Sequence, residues 1–570
     1  MKASDYIAGV LERRGVRHVF EMSGGMIAHL LDSLAERTRI RIVSMHHEQA
    51  AAFAADAWGR MTGIPGVAMA TSGPGATNLL TGIGSCYFDS SPAVFITGQV
   101  NRHELRGDRA IRQLGFQETD IVSMARPITK AAWRVDEVEQ LPRLLDAAFD
   151  LAVSGRPGPV LLDVPMDVQR ARVADGDRPA DGAGADASAL DLEPMFADLR
   201  RARRPLILVG GGIHASGSES AARELARTLG VPAVTSLMAR DVFPHGDPLY
   251  AGMIGTYGNR WANLTLGACD VLLVLGSRLD IRQTGSDTAA FRGERILHHV
   301  DCEPGELNNR VTGCHAILAD LRAFFAAALP TARTLGRVGS AGWVAEIDAL
   351  RRRWPDTREL EVDGINPNQL MHDLSRVSGE AAAYVLDAGQ NQMWGAQSLE
   401  LHAGQRFITS GGMAPMGYAL PAAIGTAFAA GRRPVVVIAG DGGLQCNVQE
   451  LETVVRNRLP LKLVVLNNRC HGMVRQFQET YFEGRYHSTY WGYSAPDFAR
   501  VAEAYGIPAR TVSAMSEVAD AVAWLWSRPG DPALLQVMID TFANTYPKIA
   551  FGRPITEMEP LATPMRMERT

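Results

Sequence analysis

The stretch IAGDGGLQCNVQELETVVRNRLPLKLVVLNNRCHG, from Ile438 to Gly472, decides the fold. It begins inside the apolar run PVVVIAG, continues through NVQELETVVRNRL at helical spacing, and closes on a second run, LKLVVLNN. Apolar runs without polar alternation fit strands covered on both faces of a parallel sheet. A right-handed strand–helix–strand crossover brings both strand carboxyl ends to one edge of that sheet. Asp441 and Asn468 then converge at the crevice where open α/β sheets bind ligands. A carboxylate, an amide oxygen and a loop carbonyl suit a hard cation such as Mg2+, which completes its six oxygens with water and phosphate. Gly440, Gly442 and Gly443 let the backbone approach such phosphates. A lone G-D-G is more often an ordinary turn with Asp capping a helix. An N-N pair ending the next strand favours the cation.

The same alternation extends outward. VAMATS, AVFITG, PVLLDVP, PLILVGGG and DVLLVLGS alternate with helical patterns, so the chain is α/β with doubly wound parallel sheets. Its 570 residues exceed one domain, and 46% hydrophobic with 21% charged residues is ordinary for a globular protein. A net charge of −5 gives no general pull toward nucleic acid or an anionic membrane. No apolar run approaches the roughly 18 residues of a membrane span, and the start has no signal-peptide core. Six scattered cysteines without C-x-x-C argue against disulfides or zinc and fit a reducing, cytoplasmic setting. The Ala-, Gly- and Asp-rich stretch 174–191 reads as a linker, and 331–349 as a weaker one. The expected domains are 1–173, 192–330 and 350–545, followed by a proline-bearing tail at 546–570.

With these residues in view, G-D-G…N-N resembles the motif of thiamin-diphosphate (ThDP) enzymes. The resemblance implies Asp441, Asn468 and the Cys470 carbonyl as Mg2+ ligands. RIVSMHHEQAAAFAADAWGR resembles the pyrimidine-domain pattern in which Glu48 activates the cofactor, with TSGPGATNLLTG beside it. SGGMAPMGYALPAAIG implies Met416 as the wedge that keeps ThDP bent, and DAGQNQMWGAQ implies diphosphate contacts at Gly389, Gln390 and Asn391. Gly472 and Met473 join the ThDP set. Asn391 stands where histidine is usual.

Over nearly the whole chain the resemblance is to acetolactate synthase-like flavoenzymes, with pyrimidine-binding, central FAD-binding and diphosphate-binding domains. It implies FAD, largely structural, on Gly210, Gly211, Gly212, Arg278, Thr284, Gly285 and Asp301. It also implies a homodimer or homotetramer with active sites at the dimer interface. Gln117 is kept beside the thiazolium, with Phe116 before it, and Arg282 would meet an acceptor carboxylate. The departures gather around the substrate. Glu21 replaces a glycine, Met26 follows Gly24-Gly25 where a small residue is usual, Met166 replaces lysine, Ile281 replaces an acid and Phe477 replaces tryptophan. Donor chemistry, decarboxylation of a 2-keto acid such as pyruvate, is expected intact. The acceptor side is expected rebuilt, toward a ketone or a nucleotide-linked keto sugar, with acetolactate synthesis proper or C–C bond cleavage as alternatives.

Overall fold

The computed structural model describes residues 1–173 and 190–566. Most of the stretch read as a linker, 174–189, therefore lies outside the described residues. Three parallel six-stranded sheets build the chain. The first holds β1 (His18–Met22), β2 (Arg41–Ser44), β3 (Gly66–Ala70), β4 (Ala93–Gln99), β5 (Ala131–Arg134) and β6 (Pro159–Pro165), in the order 2-1-3-4-6-5. The second holds β7 (Pro205–Val209), β8 (Ala233–Thr235), β9 (Tyr250–Met253), β10 (Val271–Leu275), β11 (Ile296–Asp301) and β12 (His315–Leu318), ordered 12-11-10-7-8-9. The third holds β13 (Ala383–Leu386), β14 (Arg406–Thr409), β15 (Val435–Gly440), β16 (Leu461–Asn467), β17 (Ala509–Val512) and β18 (Ala533–Met538), ordered 14-13-15-16-18-17.

Each order reverses direction inside the sheet, between β1 and β3, between β7 and β10, and between β13 and β15, and the first and third step back once more at the edge, at β6-β5 and β18-β17. Such reversals open a crevice at the strand carboxyl ends, because the flanking loops leave toward opposite sides. The expected parallel, doubly wound α/β architecture is what the chain adopts. Strands β3, β4, β6, β7 and β16 are buried at every residue, which accounts for their unbroken apolar runs.

Six helices carry or flank the candidate residues: α1 (Glu48–Thr62), α2 (Gln390–Ser398), α3 (Ala419–Ala429), α4 (Asp441–Cys446), α5 (Glu450–Asn457) and α6 (Gly472–Tyr481). Helix α1 is buried from Ala50 through Gly59, so it lacks a polar face. Its alanines let neighbours come close: a methyl on Gly425 of α3 would fall 2.0 Å from the Ala54 carbonyl oxygen.

The chain divides into two compact units that do not follow sequence order. One takes in the first sheet with Ser410–Val435 and Gln445–Leu461. The other takes in the second and third sheets with Val436–Leu444 and the residues from Lys462 onward. The 331–349 stretch, read as a linker, is largely helical: helices Leu321–Leu335 and Ala341–Arg353 overlap it, and Trp343 is buried in the second sheet's core. The proline-bearing tail folds back as an antiparallel pair, β19 (Lys548–Ile549) with β20 (Met558–Glu559), and sets Ile549, Ile555 and Met558 into that same core. Among the described residues, no helix is long and apolar enough to cross a membrane.

Asp163, buried in β6, accepts the Thr97 hydroxyl at 2.7 Å and the Gln99 amide at 3.0 Å. Burial pushes its carboxyl up to about 7 against those two donors. Between the ordinary carboxylate range and about 7, the folded chain keeps a proton that the unfolded chain releases. Stability therefore falls as pH rises across that window. Asp163→Asn should flatten this slope in urea unfolding followed from pH 4 to 7. An unchanged slope would assign the pH dependence elsewhere.

Candidate functional site

The candidate residues fall into two sets, one in each compact unit. In the first unit, Glu48 opens α1 and is 7% exposed. His47 caps the helix by accepting the Gln49 amide on Nδ1 at 3.0 Å. Glu48 Oε2 accepts the Asn78 side-chain amide at 2.9 Å, while a methyl on Gly75 would lie 3.2 Å from Oε1. Gly73 beside it has φ +66, and a methyl there would touch the Gln117 Cβ at 3.0 Å. Gln117 itself is held at φ 65, a left-handed conformation that costs a non-glycine residue about 1 kcal/mol or more. The structure thus gathers Glu48, the 71–75 turn and Gln117 around the β1/β3 reversal.

At that reversal the Met26 amide donates to Thr71 Oγ1 at 3.3 Å, and the Met26 carbonyl accepts Gln169. A methyl on Gly25 would meet nothing within 4 Å, so this residue borders open space. Phe116 is 79% exposed and Met416 38% exposed. Glu21, the departure in β1, is buried; Ser44 donates its hydroxyl to Oε1 and burial raises its carboxyl.

In the second unit, Asp441 stands at the end of β15 and Asn468 just past the end of β16, both buried. Asp441 Oδ1 accepts the Gly442 amide at 2.8 Å. Its Oδ2 is buried outside hydrogen-bond geometry with any described residue, and burial raises the carboxyl to about 6 against the pull of the Gly442 amide and of the nearby Arg469 amide and Tyr493 hydroxyl. An orphaned buried carboxylate oxygen is costly unless a cation or donor meets it. Asn467 and Asn468 both accept the backbone amide two residues on, from Arg469 at 3.1 Å and from Cys470 at 3.2 Å. They differ in their amide groups: Asn467 donates Nδ2 to Gln536, whereas Asn468 donates Nδ2 to Gln390 Oε1 at 3.1 Å, which aims it at the β13/β15 reversal.

Gln390 opens α2 across the β13/β15 reversal and also donates to the Ala543 carbonyl at 2.8 Å. Asn391 donates Nδ2 to the carbonyls of Asp387 and Ile438, joining the ends of β13 and β15. Its Oδ1 lies where methyls on Gly389 and Gly440 would press, at 2.6 and 3.4 Å. Gly443 has the same constraint from Asp387 Oδ1 at 2.7 Å. The carboxylate, the amide oxygen and the neighbouring main chain form an all-oxygen set that fits a hard divalent cation on a diphosphate. Cys470 is buried, donates its thiol to the Thr541 carbonyl, and is pushed up to about 12, which keeps the sulfur protonated and unreactive.

Arg282 reaches α2, its Nη2 lying 3.8 Å from the Met393 sulfur. Phe477 on α6 is 39% exposed and packs its ring on Tyr481 at 4.8 Å. At the β7/β10 reversal, methyls on Gly210 and Gly212 would strike Gly276 at 2.2 and 2.8 Å, so those glycines serve loop-on-loop packing. Gly211 is less confined, meeting Met238 Cβ at 3.2 Å. Arg278 pairs with Asp280 at 3.2 Å, Arg310 donates to Thr284 and to the Gly285 carbonyl, and Asp301 ends β11 with Oδ1 on the Glu303 amide. Motif reading missed Asn78, Asn447 and Glu450, the last of which accepts the His46 amide at 2.9 Å just before Glu48. No local sequence signal marks them, because each acts through a partner distant in the chain.

Comparison with known proteins fits this geometry. Residues 1–124 match the thiamine pyrophosphate enzyme N-terminal TPP binding domain, 192–328 its central domain, and 387–537 its C-terminal TPP binding domain. The chain is 36% identical over 559 residues to the acetolactate synthase isozyme 1 large subunit of Escherichia coli, covering 97% of each chain. The chain belongs to the acetolactate synthase-like ThDP enzymes. It is also 35% identical over 576 residues to the isozyme 2 large subunit of that bacterium, covering 98% of this chain and 99% of the relative. With the acetolactate synthase large subunit of Pyropia yezoensis it shares 35% over 568 residues, 97% and 94% of the two chains. ThDP is accordingly its cofactor class, and the protein is an enzyme.

A methyl at Gly472 would fall 1.8 Å from Gln390 Oε1 and 2.7 Å from Asn468 Nδ2. Overpacking costs about 1–3 kcal/mol, so Gly472→Ala should weaken ThDP affinity about tenfold or more in a fluorescence titration. Gly25→Ala, with room for its methyl, should leave that affinity in place. Equal affinities for both variants would show that Gly472 does not shape the cofactor site.

Proposed function

We propose that this enzyme is a Mg2+-dependent carboligase that decarboxylates a 2-keto acid, with pyruvate as donor, and transfers the two-carbon unit to an acceptor carbonyl. The observation that carries this reading is the buried, unpartnered Asp441 Oδ2 beside Asn468 at the sheet reversal where Gln390 and Gly472 converge. Asp441, Asn468 and the Cys470 main-chain carbonyl would hold Mg2+. Gly389, Gln390, Asn391, Gly440, Gly442, Gly443, Gly472 and Met473 would hold ThDP. When bound, ThDP supplies the electron sink for decarboxylation. Glu48 holds and moves a proton at its carboxylate, kept largely dry by the fold around it. Gln117 and Met416 orient the reacting groups, and Arg282 is the cation for an acceptor carboxylate. FAD on Gly210, Gly211, Gly212, Arg278, Thr284, Gly285 and Asp301 is supported by their gathering at the ends of the adjacent strands β7, β10 and β11. The exposed Phe116 and Met416 support a homo-oligomer whose copies complete one another's sites.

Near-full-length similarity to enzymes named acetolactate synthase favours a second 2-keto acid as acceptor at least as well as any other. A bulkier ketone, such as a nucleotide-linked keto sugar, is favoured by Phe477 where those enzymes carry tryptophan, and by exposed Ile281 beside Arg282. Incubating the protein with pyruvate, ThDP and Mg2+ should yield acetolactate, or a two-carbon gain on an added ketone, by mass spectrometry. Acetaldehyde or acetate as the sole product would overturn carboligation. Glu48→Gln should lower kcat by about 10²–10⁴ with ThDP still bound; near-normal turnover would remove Glu48 from its role. A yellow flavin absorbance in the purified protein checks FAD.

A further inference from the structure

Within the first unit, the segment 410–418 is gripped at both ends by side chains to which no sequence pattern assigns a role. At its start, the Asp89 side chain, 1% exposed, takes four donors. Its Oδ1 accepts the amides of Gly411 at 3.1 Å and Gly412 at 2.6 Å, and its Oδ2 accepts the Ser410 hydroxyl at 2.7 Å. Arg60 of α1 donates to the same Oδ2 at 3.0 Å, to Asp56 and to Ser91 Oγ. Gly412 has no room to drift, since a methyl there would lie 2.8 Å from the Phe88 Cβ. At the other end, Asn447, 1% exposed, donates Nδ2 to the Gly417 carbonyl at 2.8 Å and to Gln49 Oε1 at 3.1 Å. Tyr418 donates its hydroxyl to Asp56 Oδ2 at 2.7 Å, and its ring packs edge-on to Phe53 at 5.2 Å.

Every one of these anchors leads back to α1. Asp56 and Arg60 lie about two and three turns along it from Glu48, and Gln49 is the residue after Glu48. Between the anchors Met416 is left projecting. We propose that Asp89 and Asn447 are positioning residues that act through Met416, fixing the 410–418 segment to the helix that carries Glu48. This rests on the reading of Met416 as a residue that orients the reacting groups. The burial explains why a carboxylate is used at Asp89. Two backbone amides, a hydroxyl and a guanidinium all present protons to one buried point, and only a charged acceptor satisfies all four. An isosteric amide at that position turns an N–H toward at least one of these donors, and the segment must move to relieve it. Because displacement of about 1 Å at a reacting group can cost about 10²-fold in rate, the loss should appear in kcat.

The test is a double-mutant cycle on kcat for pyruvate turnover in the holoenzyme. Asp89→Asn and Asn447→Ala should each lower kcat about tenfold or more, with KM for pyruvate and ThDP affinity within about twofold. In a Met416→Ala background, the same changes should lower kcat by less than about twofold, since the group they position is gone. Undiminished losses in that background would overturn the proposal and leave the two residues with a purely structural role. Met416→Ala with unchanged kcat would instead overturn the assigned role of Met416, and with it the route by which the clamp acts. Should Asp89→Asn fail to fold, the Asn447→Ala arm alone decides, because it removes a neutral amide and no buried charge.

Discussion

Everything at the candidate site depends on one constraint, that strands in a parallel sheet end at the same edge. Neighbouring strands whose crossover helices leave in opposite directions cannot close the gap between their ends. In the third sheet this gap lies between β13 and β15, and the chain fills it with short polar groups instead of hydrophobic ones. Asn391 bridges the two strands through their carbonyls, and its Oδ1 leaves no room for a side chain on Gly389. The reversal in the first sheet is treated differently. There the turn 71–75 brings the backbone against Glu48 and Gln117, and a strained φ at Gln117 is tolerated because Gly73 leaves it space.

The charged residues sort by the same physical rule. Arg60 is wholly surrounded by Asp56, Asp89 and Ser91, and its proton is held far more firmly than in water. Such a cluster is costly to assemble and costlier to break, so it serves geometry more than net stability. Asp441 is the opposite case, a buried carboxylate left with one oxygen unsatisfied. The Arg60 network fixes position by satisfying its members, whereas Asp441 Oδ2 leaves a buried acceptor open at a strand end.

The α/β class and the three parallel sheets were legible because continuous apolar runs, helical spacing and glycine turns are local signals. Asp441, Asn468 and Glu48 were legible for the same reason, each lying at a strand or helix end inside a recognisable pattern. Asp89 and Arg60 were not, since they lie twenty-nine residues apart in sequence and nothing in either stretch distinguishes a buried ion pair from a solvated charge. The difference between Asn467 and Asn468 was likewise invisible, since it lies in their distant Nδ2 partners, Gln536 for one and Gln390 for the other. The proline-bearing tail gave no sequence sign of its packing, in which Ile549, Ile555 and Met558 join a core while Lys548 pairs with Glu559 across β19 and β20. Arg260 holds that pair of strands in place through the Met558 and Glu559 carbonyls and a buried ion pair with Glu359.

The crossover that revealed the fold is itself divided between the two compact units. Its strands β15 and β16 belong almost wholly to one unit, while the residues between them, Gln445–Leu461, belong to the other. A single strand–helix–strand motif therefore acts as a stitch through both bodies, crossing over and back between Val436–Leu444 and Lys462. The compact units and the domains read along the sequence are therefore different pieces of chain: the third sheet keeps its strands in one unit, while the helix that joins two of them is counted with the other.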